Sequence, residues 1–298
     1  MPFTADKDTF HAHLAANAKT GFTVHYYGAT VSSWTVNGHE QLFLSKKAIL
    51  NGTKAIRIPL VFPQFGTVAT SKLPQHGFAR CSFWKLTQLT ESGDQLAATF
   101  TLTPDQVDPA LRALWDYKFE LAYDVTLDGA AGTLKTALRV KNFEADRTFD
   151  FTWLLHTYLR VPTLSGLEVQ GLSGFSYTDK TRQLQTFNQS GAITITEEVD
   201  RVFPSVTPIT APLQVVVGGK PIASIERTPG KGSNGFADVV VWNPWADKAK
   251  GMADFGDDEY HEMVCVEVGD VANPVKVGPG EVREAGQVIR AVAAIAKL

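Results

Sequence analysis

FDFTWLLHTYLRV, residues 149–161, is the stretch whose period decides the fold. Taken two residues at a time, Phe149, Phe151, Trp153, Leu155, Leu159 and Val161 fall on one side, with Thr157 the only polar break. Asp150, Thr152, Leu154, His156, Tyr158 and Arg160 fall on the other. Alternation of this length, rich in aromatic and β-branched residues, predicts a strand with one face in a core. His156 then projects from the mixed face. There it is either a satisfied core histidine, the commoner outcome, or a titratable group looking into a cleft.

The same pattern extends along most of the chain. LAATFTLT, FELAYDVTL, GTLKTALRVKN, AITIT, LQVVV, PIASIER, DVVVWN and MVCVEV all read as short strands. Two or three more lie in FTVHYYGATVSSWTVNGHEQLFLS, where Asn37-Gly38 is a hairpin signal, and Asp128-Gly129 marks another turn. Helical segments are few: Phe3 to Ala18 is expected to hold a short one, and Asp108 followed by Pro109 caps another. Many short strands joined by Gly/Pro turns imply an all-β protein, a large antiparallel β-sandwich with few short helices. No repeat, linker or composition shift divides it, so residues 1–298 are expected to form a single domain.

Composition narrows the partners. The chain is 44% apolar and 20% charged, with 18 Phe and 6 Trp to fill a core. A net charge of -3 gives no reason to expect nucleic acid. Two cysteines, Cys81 and Cys265, do not make a disulfide framework and suit a reducing compartment. No apolar run reaches membrane-spanning length, and MPFTADKDTF lacks the apolar centre of a signal peptide. The terminal Ala296-Lys297-Leu298 differs from the S-K-L microbody address by one small residue. A cytoplasmic or peroxisome/glycosome-type location is therefore expected, with a peroxisomal import receptor as a partner in the second case.

Five segments place polar groups where apolar ones would serve a core. Arg57 stands in AIRIPLVFPQFG, before prolines that exclude a central strand. LPQHGFAR gathers Gln75, His76 and Arg80 around a glycine turn, with Phe78 as its anchor. His156 is the third. Asp200 and Arg201 follow the AITIT strand, and in isolation they would read as an exposed acid–base pair. In MVCVEV, Glu267 shares a face with Met263 and Cys265, opposite Val264, Val266 and Val268, in a setting analogous to that of His156. One carboxylate and one imidazole are the ingredients of paired acid–base catalysis near neutral pH. Other chemistries lack their motifs: there is no G-x-S-x-G, H-E-x-x-H, CxxC or GxGxxG. His11 and His13 are expected on a solvated helix face.

In this order the segments resemble the galactose-mutarotase-like (aldose 1-epimerase) superfamily, and most of all its hexose-6-phosphate branch, the glucose-6-phosphate 1-epimerases. LPQHGFAR, WNPW with the following MADFGDDEY, and MVCVE carry the resemblance, which runs from GATVSSW at Gly28 to the end. It implies a single antiparallel supersandwich. It also implies roles: Glu267 as general base on the anomeric hydroxyl and His156 as general acid on the ring oxygen. Arg57, Gln75, His76 and Asp200 would hold the sugar, and Arg80 its 6-phosphate, with Arg57 as a second donor. A guanidinium suits phosphate because its planar fork is bidentate. The implied reaction interconverts α and β anomers of glucose 6-phosphate by ring opening, with no cofactor or metal. The family's Gly-Gly pair after the arginine is missing, since this chain reads Arg57-Ile58-Pro59.

Two alternatives share the fold: an aldose 1-epimerase of free hexoses, which would not need Arg80, and a non-catalytic carbohydrate-binding sandwich, which would not need both His156 and Glu267. A polysaccharide lyase or glycosidase, a third class with such sandwich domains, is expected to carry a long open aromatic groove and a second catalytic carboxylate, or an additional domain.

Overall fold

The computed structural model describes residues 3–49 and 60–292. Arg57, its shortened connection and the terminal tripeptide lie outside the described residues.

Three antiparallel sheets account for the described strands. A five-stranded sheet is built consecutively from Phe3–Ala5 to His39–Glu40. A nine-stranded sheet runs from Ile193–Thr194 at one edge to Lys85–Ser92 at the other, with Thr133–Asn142 and Val282–Ala291 near its middle. The third sheet carries, in spatial order, Gln185–Asn188, Ser176–Asp179, Val199–Phe203, Asp238–Asn243, Met263–Val277, Phe149–Leu155 and Leu60–Val61, while Tyr158–Arg160 also pairs with Met263–Val277. The Pro-punctuated segment thus supplies an edge strand, as a missing N–H requires.

The inward face of Phe149–Leu155 is the apolar one. Phe151 and Trp153 stack edge-on at 5.3 Å, Trp153 meets Phe236 at 5.1 Å, and Phe149 meets Trp115 at 4.9 Å. Phe62 at 6.0 Å from Phe119 joins the third sheet to the nine-stranded one. Aromatic rings in these offset and tilted arrangements add to the area they bury. Thr157, the polar break, is buried and accepts a 2.8 Å hydrogen bond from Gln287 Nε2 on the facing sheet. A buried polar group without that partner would be costly.

Several local expectations hold. Asn37 and Gly38 both take positive φ between paired strands, and Asp108 caps Pro109–Arg112 by accepting from the Ala110 N–H. The N-terminal helix does not form. Phe3–Ala5, Thr9–Leu14 and Asn17–His25 are strands, because Phe10, Ala12 and Leu14 recur with period two and all three are buried. Helix propensity is a weak prior, and tertiary packing overrides it here. His11 and His13 accordingly lie on a strand, where His11 bonds Thr23 Oγ1 at 2.9 Å. CSFWKL, residues 81–86, alternates as a strand would, but the strand begins only at Lys85, since Ala79–Cys81 is a turn of 3₁₀ helix and Phe83 is 48% exposed. The opening stretch itself is not continuous: it breaks at His156 and Thr157, between Phe149–Leu155 and Tyr158–Arg160.

Candidate active site

That break does not alter the register. Leu155 pairs with Val268 before it and Tyr158 with Cys265 after it. Carried across, the count puts His156 opposite Glu267 on the neighbouring strand. Two rows then cross four strands: Val202, Val240, Glu267 and His156, and beside it Asp200, Trp242, Cys265 and Tyr158. Alternation turns both rows to one face of the sheet, where Tyr158, Trp242 and Cys265 also pack into the main core. A small apolar patch of Val61, Leu154 and Val240 floors this face.

Above the rows opens a cavity of about 420 Å³, within the range that takes small-molecule ligands. Gln75, His76, Arg80, His156, Asp200 and Glu267 all line it, so six of the seven residues expected from sequence converge there. The seventh, Arg57, lies outside the described residues. Lys180, Phe65, Tyr158, Trp242, Lys248, Met252 and Asp254 line it as well. The sequence reading did not single these out, although Trp242, Met252 and Asp254 fall in the WNPW and MADFGDDEY motifs. Lys180 follows a short strand in an unremarkable polar run and carries no sequence signal.

The His156 Nδ1 lies 3.4 Å from Glu267 Oε1. His156 stacks on Tyr158 at 4.8 Å and stands edge-on to Trp242 at 6.2 Å, which sets its ring plane. Glu267 is buried, and burial raises its carboxyl well above the ordinary 4.5, with Asp200 adding to the effect and Lys180 opposing it. The carboxylate is therefore a stronger base than a free glutamate, and its working range moves toward neutral pH. Burial also raises Asp200, against the pull of Lys180, whose Nζ is 3.7 Å from Asp200 Oδ1 and 4.0 Å from the centre of the Phe65 ring. Arg201 points the other way, to Gln189 and the Tyr177 ring, so Asp200 and Arg201 are not a pair.

His76 is a different kind of histidine. The Gly66 N–H donates to its Nδ1 at 3.1 Å, which assigns the ring proton to Nε2. Burial, with help from Arg80 and Lys180, lowers its pKa from 6.5 to about 3. It is thus a fixed neutral donor. Because the folded value is depressed, its contribution to stability is present above pH 6.5 and is lost as pH falls toward about 3. On going from pH 7 to pH 5, urea unfolding should therefore show the wild type losing about 1–2 kcal/mol more than His76→Gln. An equal loss in both would remove the assignment.

The loop that carries these groups is held by a glycine. Gly77 has φ +73°, and a Cβ there would stand 2.2 Å from the Phe62 carbonyl oxygen. Phe62 receives the Phe78 N–H at 3.0 Å, and the fully buried Phe78 ring anchors the turn as expected. Gly77→Ala should cost about 2–5 kcal/mol, the sum of left-handed strain and overpacking, measurable as a lower urea midpoint. Arg80 follows on the 3₁₀ turn, half-buried, with no carboxylate in salt-bridge range among the described residues. Its Nε is buried and unbonded among those residues. Such a cation calls for an anion.

The opposite lip is set by Asn243 and Glu259. Buried Asn243 donates to the Tyr260 and Met263 carbonyls and accepts the Trp245 N–H. Glu259 accepts from the Lys46 and Gly256 backbone and from Ser45 Oγ. These bonds fix the connection that bears Met252 and Asp254. As for metals, His156, Cys265 and Glu267 each bring a donor atom within 4.8 Å of the others.

An antiparallel sandwich with an imidazole and a buried carboxylate side by side in one cleft is what the structure presents. This chain belongs to the aldose 1-epimerase family, whose profile matches residues 11–290. Within the family, the chain is 37% identical over 277 residues to a protein of Cenchrus ciliaris named as a candidate glucose-6-phosphate 1-epimerase, covering 87% of this chain and 77% of that one. A protein of Escherichia coli K12 with the same name is 29% identical over 267 residues, 88% of this chain and 84% of its own. The crystal structure of a candidate mutarotase from Salmonella typhimurium superposes with a TM-score of 0.81 at 24% identity, over 97% of this chain and 92% of that chain. The all-β antiparallel sandwich expected from sequence is the observed fold.

Proposed function

We propose that this chain interconverts the α and β anomers of a hexose 6-phosphate, with glucose 6-phosphate as the substrate, working as one domain over residues 1–298. The observation that supports this most is the 3.4 Å approach of His156 to Glu267. In an aldose the anomeric hydroxyl and the ring oxygen hang on the same carbon. An acid and a base that serve both must therefore stand side by side, and these two do. Glu267 takes the anomeric proton while His156 protonates the ring oxygen, and the bond from C1 to the ring oxygen breaks to give the aldehyde. Rotation about the bond next to C1 presents its other face. Closure with the two proton transfers reversed gives the second anomer, without a covalent intermediate.

His76 and Asp200 hold sugar hydroxyls, one as donor and the other as acceptor, Gln75 reaches in from the rim, and Trp242 supplies an apolar face. Arg80 takes the 6-phosphate, with Arg57 as a second donor. The names of the relatives from Cenchrus ciliaris and Escherichia coli support the phosphorylated substrate. Anomer exchange of glucose 6-phosphate and of glucose, followed side by side by magnetisation-transfer NMR, tests the reading. Fast exchange of the phosphate ester alone is expected. Equal acceleration of both sugars would move the protein to the aldose 1-epimerases of free hexoses, and no acceleration would leave a carbohydrate-binding sandwich. Microbody import through Ala296-Lys297-Leu298 belongs to the same proposal. It is tested by the location of a reporter fused to the C-terminal segment with and without that tripeptide.

A further inference from the structure

We propose that the cleft is also a binding site for a thiophilic divalent cation of the zinc class, held by the Cys265 thiolate, the His156 imidazole and the Glu267 carboxylate, and that its occupation stops the acid–base pair. Cys265 is two residues before Glu267 on the same strand face and stands opposite Tyr158, in the row next to His156 and Glu267. One donor atom from each of the three lies within 4.8 Å of the other two. The His156–Glu267 approach of 3.4 Å already matches the spacing of two ligands at about 2.0–2.2 Å from a tetrahedral zinc. Cys265 has to close by at most about 1.5 Å, which a χ1 adjustment supplies.

A second observation points to a ligand. Glu267 Oε2 is buried and makes no hydrogen bond among the described residues. A carboxylate oxygen in that position lacks the partner that buried polar atoms ordinarily have. The donor set decides which cation fits. Sulfur, imidazole nitrogen and one carboxylate oxygen suit zinc and its soft neighbours, whereas magnesium and calcium prefer oxygen throughout. Two anionic donors neutralise the dication, as burial demands. On binding, the Cys265 thiol exchanges its proton for a sulfur–metal bond and the proton leaves to solvent, as does any proton on Glu267. Water from the cleft takes the fourth position.

The inhibitory half rests on the mutarotase reading; the binding half does not, and the experiment separates them. Cadmium titrated into the full chain should give one equivalent of thiolate-to-metal ultraviolet absorbance. That band should persist in Cys81→Ser and vanish in Cys265→Ser, with zinc affinity falling on the order of 100-fold, at or beyond the limit of losing a supporting bond. His156→Ala should weaken the affinity as well, which keeps the test open if Cys265→Ser misfolds. A band that survives in Cys265→Ser, or is missing from the wild type, overturns the site. The glucose 6-phosphate exchange rate is then measured with zinc and with chelator, each variant against itself. A wild-type loss of about tenfold or more that Cys265→Ser escapes is expected for a ligand that occupies both proton-transfer groups. Unchanged rates in a protein that shows the band overturn the inhibition. A chelated wild type with no exchange activity counts against the mutarotase reading, and the cadmium band still decides the site.

Discussion

Glu267→Gln and His156→Ala should each lower kcat for anomer exchange by about 10²–10⁴-fold, the usual worth of one positioned proton-transfer group. The two act as a unit, so the double variant should fall little below the worse single one. Stopped-flow polarimetry or exchange NMR reads this directly, and a rate within a few-fold of wild type in either variant would end the catalytic assignment. The acid side of the pH profile gives an independent check. Burial holds the Glu267 carboxyl well above 4.5, and its protonated form cannot accept the anomeric proton. Activity should therefore fall with decreasing pH through that raised value rather than near that of a free glutamate. The stability sign is opposite. A raised folded-state pKa is favourable below the unfolded value and is lost as pH rises through the folded one. At alkaline pH Glu267→Gln should thus unfold at the same or higher urea concentration than wild type, which would distinguish lost chemistry from lost fold.

Arg80→Ala should raise KM for glucose 6-phosphate by about 10–100-fold, as expected for removal of charge-assisted hydrogen bonds to phosphate. Its effect on free glucose should be small, and kcat at saturation should change little, because the guanidinium binds remote from C1. Arg80→Lys should recover part of the loss, since an ammonium keeps the charge but not the bidentate fork. Initial rates on both sugars across a concentration series measure it. Parallel losses on the two substrates would show Arg80 supporting the loop that carries His76, and the phosphate would need another cation. Lys180 is then the next to test. It lines the same cavity, and like Arg80 it lowers the pKa of His76.

The class of fold was legible because a sandwich strand buries one face, and period two records that burial in the residues themselves. Phe149, Phe151, Trp153 and Leu155 were read inward and are buried there. The exception is instructive. Phe10, Ala12 and Leu14 carried the same period, yet the segment was expected to be helical. Only pairing with Asn17–His25 settled the matter. Gly77 was legible as a turn, while its need to approach the Phe62 carbonyl was not.

The sequence by itself determined the alternation that makes the sheets, the turn residues that end them, and which polar side chains stand on otherwise apolar strands. His156 and Glu267 were among those because charge on a buried strand is costly and stands out wherever it occurs. What tertiary structure alone decided is their distance. His156 and Glu267 are far apart along the chain, and nothing in that separation places one opposite the other. A register kept across a broken strand does. It also decided that the two site histidines differ, since the proton on His76 is assigned by a backbone N–H ten residues away. Lys180 entered the cleft without any signal in the chain, because a surface lysine and a site lysine look alike until a neighbouring strand brings Asp200 beside one of them.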